Sequence, residues 1–291
     1  MSDPLSRPIL VLSPHLDDAI LSCGGLLAGH SDAMVATAFS ADPPQARPTQ
    51  LSALASPKVR REEDARAMER VGAQVRLLNM PDAVDRIGAD GERLYPKIAA
   101  LFGVVAREDA PICEQIVQAL VPLAEERVVL CPMAVGAHVD HQLCAHAGRR
   151  LQAAGHEVLF YEDAPYVYPN PGKAVQGDSV IRAAGRLRAR VQGLVDVAID
   201  DIAKSQAVAC YASQVTELFG DMASYSVSAQ GHFEELGGEI EQRHGGRLGI
   251  HLNGHFAEFS HDTHSLQPAH VRKMRKFIED AGIDPERDYP L

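Results

Sequence analysis

The feature that most constrains the fold is a short apolar run that ends in a turn rich in ligating side chains. Residues Ile9–Leu12 have strand character, and the turn after them contains one imidazole and two carboxylates, from His15, Asp17 and Asp18. Open α/β sheets place their active sites at the carboxyl ends of buried strands. Imidazole and carboxylate groups bind metal ions, and a spare carboxylate beside them is a candidate base. The segment therefore predicts a buried strand that leads into a metal-binding turn.

A second segment repeats this arrangement about 120 residues later. Val128–Cys131 is again a short apolar run, and His138, Asp140 and His141 follow it before a helical pattern at Gln142–Ala154. His138 and His141 are three residues apart, so they share a face if they lie in the first turn of that helix. Two strand, polar turn and helix units in one chain predict one site built from both.

Strand-like runs alternate with helical stretches through the first half of the chain, which predicts a parallel sheet covered by helices on both faces. The predicted fold class is α/β: a Rossmann-like three-layer fold with a mainly parallel sheet, plus a smaller C-terminal α+β extension. We expect residues 1–291 to form a single domain, with the core at 1–165 and the helices, hairpin and tail that complete the pocket at 166–291. The predicted strands are Ile9–Leu12, Met34–Phe39, Val75–Leu78, Val128–Cys131 and Val158–Tyr161, with a further strand or hairpin at Arg247–Phe259. The predicted helices are Asp18–Ala28, Pro57–Val71, Pro111–Glu125, Gln142–Ala154, Ile199–Phe219 and Val271–Ala281.

Composition narrows the class of protein further. Lys and Arg number 28 against 39 Asp and Glu, a net charge of −11, which argues against a nucleic-acid groove or an anionic membrane surface. Five cysteines without CxxC spacing favour reduced thiols. No signal-peptide core or membrane-length apolar run is present, so we expect a soluble, cytoplasmic protein.

The two motifs resemble those of the zinc-dependent de-N-acetylase family that includes N-acetylglucosaminyl-phosphatidylinositol deacetylase and the mycothiol and bacillithiol deacetylases. Its first motif reads Pro-His-x-Asp-Asp and its second His-Pro-Asp-His; here Leu16 and Val139 stand at the positions that are often proline. Weaker similarities continue to about residue 260, including Arg60, Asp82 and a segment from Lys204 to Gln214.

The resemblance implies a zinc-dependent N-deacetylase with metal-bound water as nucleophile. It assigns His15, Asp18 and His141 as metal ligands, with Zn²⁺ or else Fe²⁺ bound, and Asp17 as general base. His138 would then stabilise the oxyanion or protonate the leaving amine. Asp140 would accept a hydrogen bond from an imidazole and fix its tautomer.

The resemblance also implies substrate contacts by Arg60 and Asp82, in a soluble small-molecule or natural-product precursor that carries an N-acetyl amino sugar of the GlcNAc type. Two alternatives stay open: an amidase acting on thiol S-conjugates or another non-sugar amide, and a non-catalytic module that binds metal or sugar or resembles a receiver domain. Simpler roles are also open for single residues, since Asp17 could be a helix N-cap and Arg60 a solvated charge. A homo-oligomer is possible.

Overall fold

A computed structural model describes residues 4–43, 57–168, 180–195, 200–226, 228–229 and 256–260. Its sheet has the strand order β3-β2-β1-β4-β5-β7-β6, in which β1 to β5 are parallel and β7 runs antiparallel to both β5 and β6. The strands are β1 (Ile9–Ser13), β2 (Ala33–Thr37), β3 (Gln74–Leu77), β4 (Val128–Pro132), β5 (Val158–Tyr161), β6 (Arg190–Val195) and β7 (Phe256–Ser260). The predicted mainly parallel sheet is confirmed.

Helices connect the parallel strands and cover the sheet. They are α1 (Asp18–Ala28), α2 (Pro57–Val71), α3 (Ala110–Leu120), α4 (Val139–Ala153), α5 (Val180–Arg186), α6 (Asp201–Val208) and α7 (Ala212–Phe219). Within the described residues, no helix is long and apolar enough to cross a bilayer.

The side chains of β1 alternate between the two faces of the sheet, and each face has its own hydrophobic core. Ile9 and Val11 belong to the cluster packed with α1 and α6, whereas Leu10 and Leu12 belong to the cluster packed with α3 and α4. All four side chains are fully buried. Since successive strand residues point to opposite faces, a wholly apolar strand requires helices on both sides of the sheet.

Two predicted helix boundaries are wrong, and one predicted helix is divided in two. Helix α4 begins at Val139 rather than Gln142, α3 ends at Leu120 rather than Glu125, and the stretch predicted as one helix from Ile199 to Phe219 is divided into α6 and α7. A tertiary contact accompanies the division: the carboxylate of Glu63 in α2 accepts hydrogen bonds from the backbone N–H and the hydroxyl of Ser213 in the first turn of α7. That external acceptor starts a new helix.

The C-terminal predictions are tested only in part. Strand β7 covers the end of the hairpin predicted at Arg247–Phe259, while the rest of that hairpin and the helix predicted at Val271–Ala281 lie outside the described residues. Between β3 and α3, the segment Asp82–Leu94 contains a 3₁₀ turn at Ala83–Asp85 and a bridge between Ile87 and Arg93.

Candidate metal centre

Three neighbouring strands of the sheet deliver the polar side chains of the site. The turn after β1 carries His15, the loop after β4 leads to His138 at the start of α4, and β5 is followed by Asp163. The first turn is held from within, because the hydroxyl of Ser13 donates to the carbonyl of His15 and accepts from the backbone N–H of Ala19. Adjacent parallel strands end at the same edge, so residues far apart in sequence meet there.

The structure brings the three predicted ligands together. The Oδ2 atom of Asp18 lies 3.0 Å from Nδ1 of His15 and 3.2 Å from Nε2 of His141, and all three side chains are buried. The donor atoms of this group lie within 4.8 Å of one another. Among the described residues, Nε2 of His141 has no hydrogen-bond partner although it is buried, and burying an unpaired polar atom is costly unless a ligand satisfies it. Two imidazoles and one carboxylate therefore fit a divalent metal ion.

Each imidazole of this group is held from behind by a carboxylate. Nε2 of His15 lies 3.0 Å from Oδ2 of Asp140, and Nδ1 of His141 lies 2.6 Å from Oδ1 of Asp163. This pairing fixes the tautomer and ring orientation of metal-binding histidines and raises their basicity. Asp163 is fixed in turn, because its Oδ2 accepts from the backbone N–H of Val135. Asp140 stands where the sequence predicts it, but Asp163 was not predicted.

A second group of possible ligands shares His15: His15, His138 and Asp140. Here the carboxylate is already occupied, because Oδ1 of Asp140 lies 2.6 Å from the Arg86 guanidinium and Oδ2 accepts from the backbone N–H of Ala83. Arg86 is itself buried and lies 2.9 Å from Asp109. A neighbouring buried cation opposes a second positive charge, so the electrostatics favour the group formed by His15, Asp18 and His141.

The pKa values of the two adjacent aspartates are shifted in opposite directions by their surroundings. Burial acts to raise the pKa of Asp18, but the neighbouring imidazoles of His141 and His15 hold that pKa well below its ordinary value. Burial raises the pKa of Asp17, and the nearby Arg60 guanidinium opposes that rise. Adjacent carboxylates with such different surroundings suit different roles.

Asp17 occupies the N-cap position of α1 but does not act as a cap, since its side chain makes no capping hydrogen bond. Its Oδ1 instead accepts from Nη2 of Arg60 at 2.9 Å. Nη1 of Arg60 lies 4.0 Å from Oδ2 of Asp82, whose Oδ1 accepts from the backbone N–H of Val84. Arg60 is thus a largely buried side chain between two carboxylates rather than a solvated charge.

His138 is the N-cap of α4, and Nδ1 of its ring accepts a hydrogen bond from the backbone N–H of Asp140 at 3.2 Å. A neutral ring that accepts at Nδ1 carries its proton on Nε2, a tautomer inferred here from the hydrogen bond. Histidine is uncommon among N-caps, which explains why the start of α4 was predicted too late.

Two half-buried aromatic rings border the histidines. The Phe102 ring packs edge-on against that of His138 at 5.4 Å between centroids, and the Tyr166 ring packs against that of His141 at the same distance. Tyr166 also covers Gly136, where an added Cβ would lie 2.6 Å from the tyrosine ring. Glycine at this position, with φ +87°, therefore lets the ring approach the site.

The three-layer fold carries two histidines, each backed by a carboxylate, and two adjacent aspartates, and this combination is typical of a metal-dependent hydrolase.

The family model described as PIG-L: GlcNAc-PI de-N-acetylase matches residues 10–152, which contain both motifs. The 2'-N-acetylparomamine deacetylase of Niallia circulans is 32% identical over 55% of this chain and 68% of that protein. The protein of the same name from Streptomyces fradiae is 35% identical over 66% of each chain.

A solved structure has the same fold. The zinc inhibited form of teicoplanin deacetylase Orf2 superposes with a TM-score of 0.64 at 21% identity, covering 88% of this chain and all of that one. The chain belongs to the PIG-L family of de-N-acetylases and is an amide-hydrolysing enzyme, as the resemblance of its motifs implied.

Proposed function

We propose that this enzyme removes the acetyl group from an N-acetylated amino sugar in a small-molecule natural-product precursor, with zinc as its metal. The observation that carries the proposal is a carboxylate, Asp17, that stands beside the ligand group of His15, Asp18 and His141 without belonging to it. Both sequence relatives are named for deacetylation of an acetylated aminoglycoside, which supports an amino-sugar substrate. The catalytic unit would be one domain spanning residues 1–291, because β6 and β7 extend the sheet that carries the ligands.

His15, Asp18 and His141 would hold the metal, which supplies Lewis acidity and activates water at neutral pH. Arg60 engages Oδ1 of Asp17 and leaves Oδ2 as the atom that takes the proton of the attacking water. Asp17 then delivers that proton to the nitrogen of the leaving amine. Arg60 would also orient Asp17. The part of the Arg60 guanidinium that remains accessible would contact the sugar together with Asp82.

The N–H at Nε2 of His138 would donate a hydrogen bond to the carbonyl oxygen as negative charge develops there. Asp140, held by Arg86, fixes the His15 ring and so has a positioning role. Phe102 and Tyr166 form an apolar wall beside the two histidines, which suits a small acyl group because it excludes water from the reacting carbonyl.

The test compares Asp17→Asn with the wild-type enzyme, using 2'-N-acetylparomamine, free N-acetylglucosamine and an amide of a thiol S-conjugate as substrates. Asparagine keeps an oxygen for Arg60 but cannot accept the proton, so kcat should fall about 10²–10⁴-fold while metal content stays at about one per chain. Free amine and bound metal are both measured. Asp32→Asn, at an exposed carboxylate that lies 3.7 Å from the Arg127 guanidinium, is the matched control.

Activity of the wild type on either acetylated sugar supports the proposed substrate class. Activity on the thiol conjugate alone would replace that class with the amidase alternative while keeping the metal centre. Full activity in Asp17→Asn would contradict the assignment of the base.

A further inference from the structure

A cavity of about 690 Å³ lies on the outer side of α4, and none of the side chains of the candidate metal centre lines it. Three parts of the chain form it: α4 along most of its length, the segment before and within α3, and the turn between α5 and β6. We call it the arginine cavity because four arginines line it, Arg107, Arg149, Arg150 and Arg188. Among the described residues, no aspartate or glutamate lines it.

The lining of the cavity is basic, although the net charge of the chain is −11. Arg150 is paired with Glu114 at 2.7 Å, and Arg149 donates to the side chain of Gln152. Burial and then the charges of Arg150, Arg149 and Arg188 lower the pKa of His146, which also lines the cavity. Four guanidinium groups therefore border the cavity, and one of them, that of Arg150, is paired with a carboxylate, that of Glu114.

Below the arginines the cavity is apolar. Leu143, Leu187 and Cys113 are buried side chains of its floor, and Val104 at its edge is 88% exposed. The volume lies within the range of small-molecule sites, which combine an apolar lining with a few convergent polar groups.

We propose that the arginine cavity binds a small organic anion, a carboxylate joined to an alkyl body. The guanidinium groups of Arg149 and Arg188 hold the carboxylate, because planar guanidinium groups pair with carboxylates through two hydrogen bonds. The alkyl body covers the floor and shields Val104 from water. This site is separate from the metal centre and does not depend on the proposed substrate.

The chain contains no tryptophan, so a single introduced reporter gives an unambiguous signal. We would place it by Val104→Trp, since an exposed position tolerates the larger side chain, and titrate the metal-loaded protein with octanoate. A saturable blue shift of the tryptophan emission is expected, because the alkyl chain packs against the indole. In the Val104→Trp background, Arg149→Gln with Arg188→Gln should weaken the binding at least about tenfold.

Two controls separate this site from general apolar binding. Arg66→Gln, at an exposed arginine of α2, should leave octanoate binding unchanged, and octylamine should produce no saturable shift. The proposal is overturned if octanoate gives no saturable shift up to about 10 mM. It is equally overturned if the double arginine variant binds octanoate as tightly as its parent, or if octylamine binds as well as octanoate.

Discussion

Lys204 gives a quantitative test of the packing between α6 and α1, because its amine is buried and has no hydrogen-bond partner among the described residues. The side chain is 2% exposed and lies where α6 crosses α1, with its Cγ only 3.2 Å from a Cβ built at Gly24. Burial lowers the pKa of Lys204 from 10.5 to about 7, and the smaller effects of Cys23 and Asp201 oppose this. At about 1.4 kcal/mol per pKa unit, the difference costs the fold up to about 4 kcal/mol at pH 7.

Lys204→Met keeps most of the side-chain volume and removes the amine, so the free energy of unfolding at pH 7 should rise by about 2–4 kcal/mol. The sign follows from a folded-state pKa that is below the unfolded one: the cost is full below about pH 7 and disappears as the pH rises through 10.5. The gain should therefore shrink between pH 7 and pH 10.

The assay is urea unfolding followed by far-ultraviolet circular dichroism at pH 7 and pH 9.5, with Lys58→Met at an exposed lysine of α2 as control. Lys58→Met should change stability by no more than about 0.5 kcal/mol. A loss of stability in Lys204→Met at pH 7 would refute the reasoning, since it would mean that the amine is stabilised in the folded protein.

Three further predictions concern the metal centre and the core. Asp163→Asn should weaken metal binding about 10–100-fold, because it alters the acceptor behind His141; chelator competition measures this, and unchanged affinity would argue against the pairing. Burial raises the pKa of Asp64 to about 7, so its contribution to stability is present below about pH 4 and lost as the pH rises through 7. The free energy of unfolding of Asp64→Asn, measured with urea, should therefore rise relative to that of the wild type as the pH increases from 4 to 8. A difference that stays constant over this pH range would contradict the prediction. Gly148→Ala should cost about 1–3 kcal/mol, since the new Cβ would lie 2.8 Å from the Cys131 side chain; an unchanged melting temperature would be the contrary result.

The parallel arrangement of the central strands could be anticipated from local sequence because wholly apolar runs alternated with helical patterns, whereas the order of the strands in the sheet was not predicted. The meeting of the two clusters of candidate ligands could also be anticipated, because both follow strands directly and the carboxyl ends of parallel strands meet at one edge. The choice of His15, Asp18 and His141 among them came from the resemblance of the two motifs to those of the family.

Asp163 and Arg86 could not be found by the same reasoning. Asp163 follows β5 by two residues, and that position at a strand end was an available signal, but a single aspartate before a proline-rich loop has no distinctive spacing. Arg86 lies in a segment with turn residues and no periodicity, and its role depends on Asp109 and Asp140, which only the folded chain brings within reach. Charges buried by tertiary contact leave little trace in local sequence.

The central claim is that one divalent metal ion binds between Nδ1 of His15, Oδ2 of Asp18 and Nε2 of His141. The most direct measurement is an anomalous difference map from zinc-soaked crystals, collected on both sides of the zinc absorption edge. The account predicts a strong peak about 2.0–2.2 Å from these three atoms. A peak instead between His138, Asp140 and Nε2 of His15, or no peak near any of these residues, would contradict it.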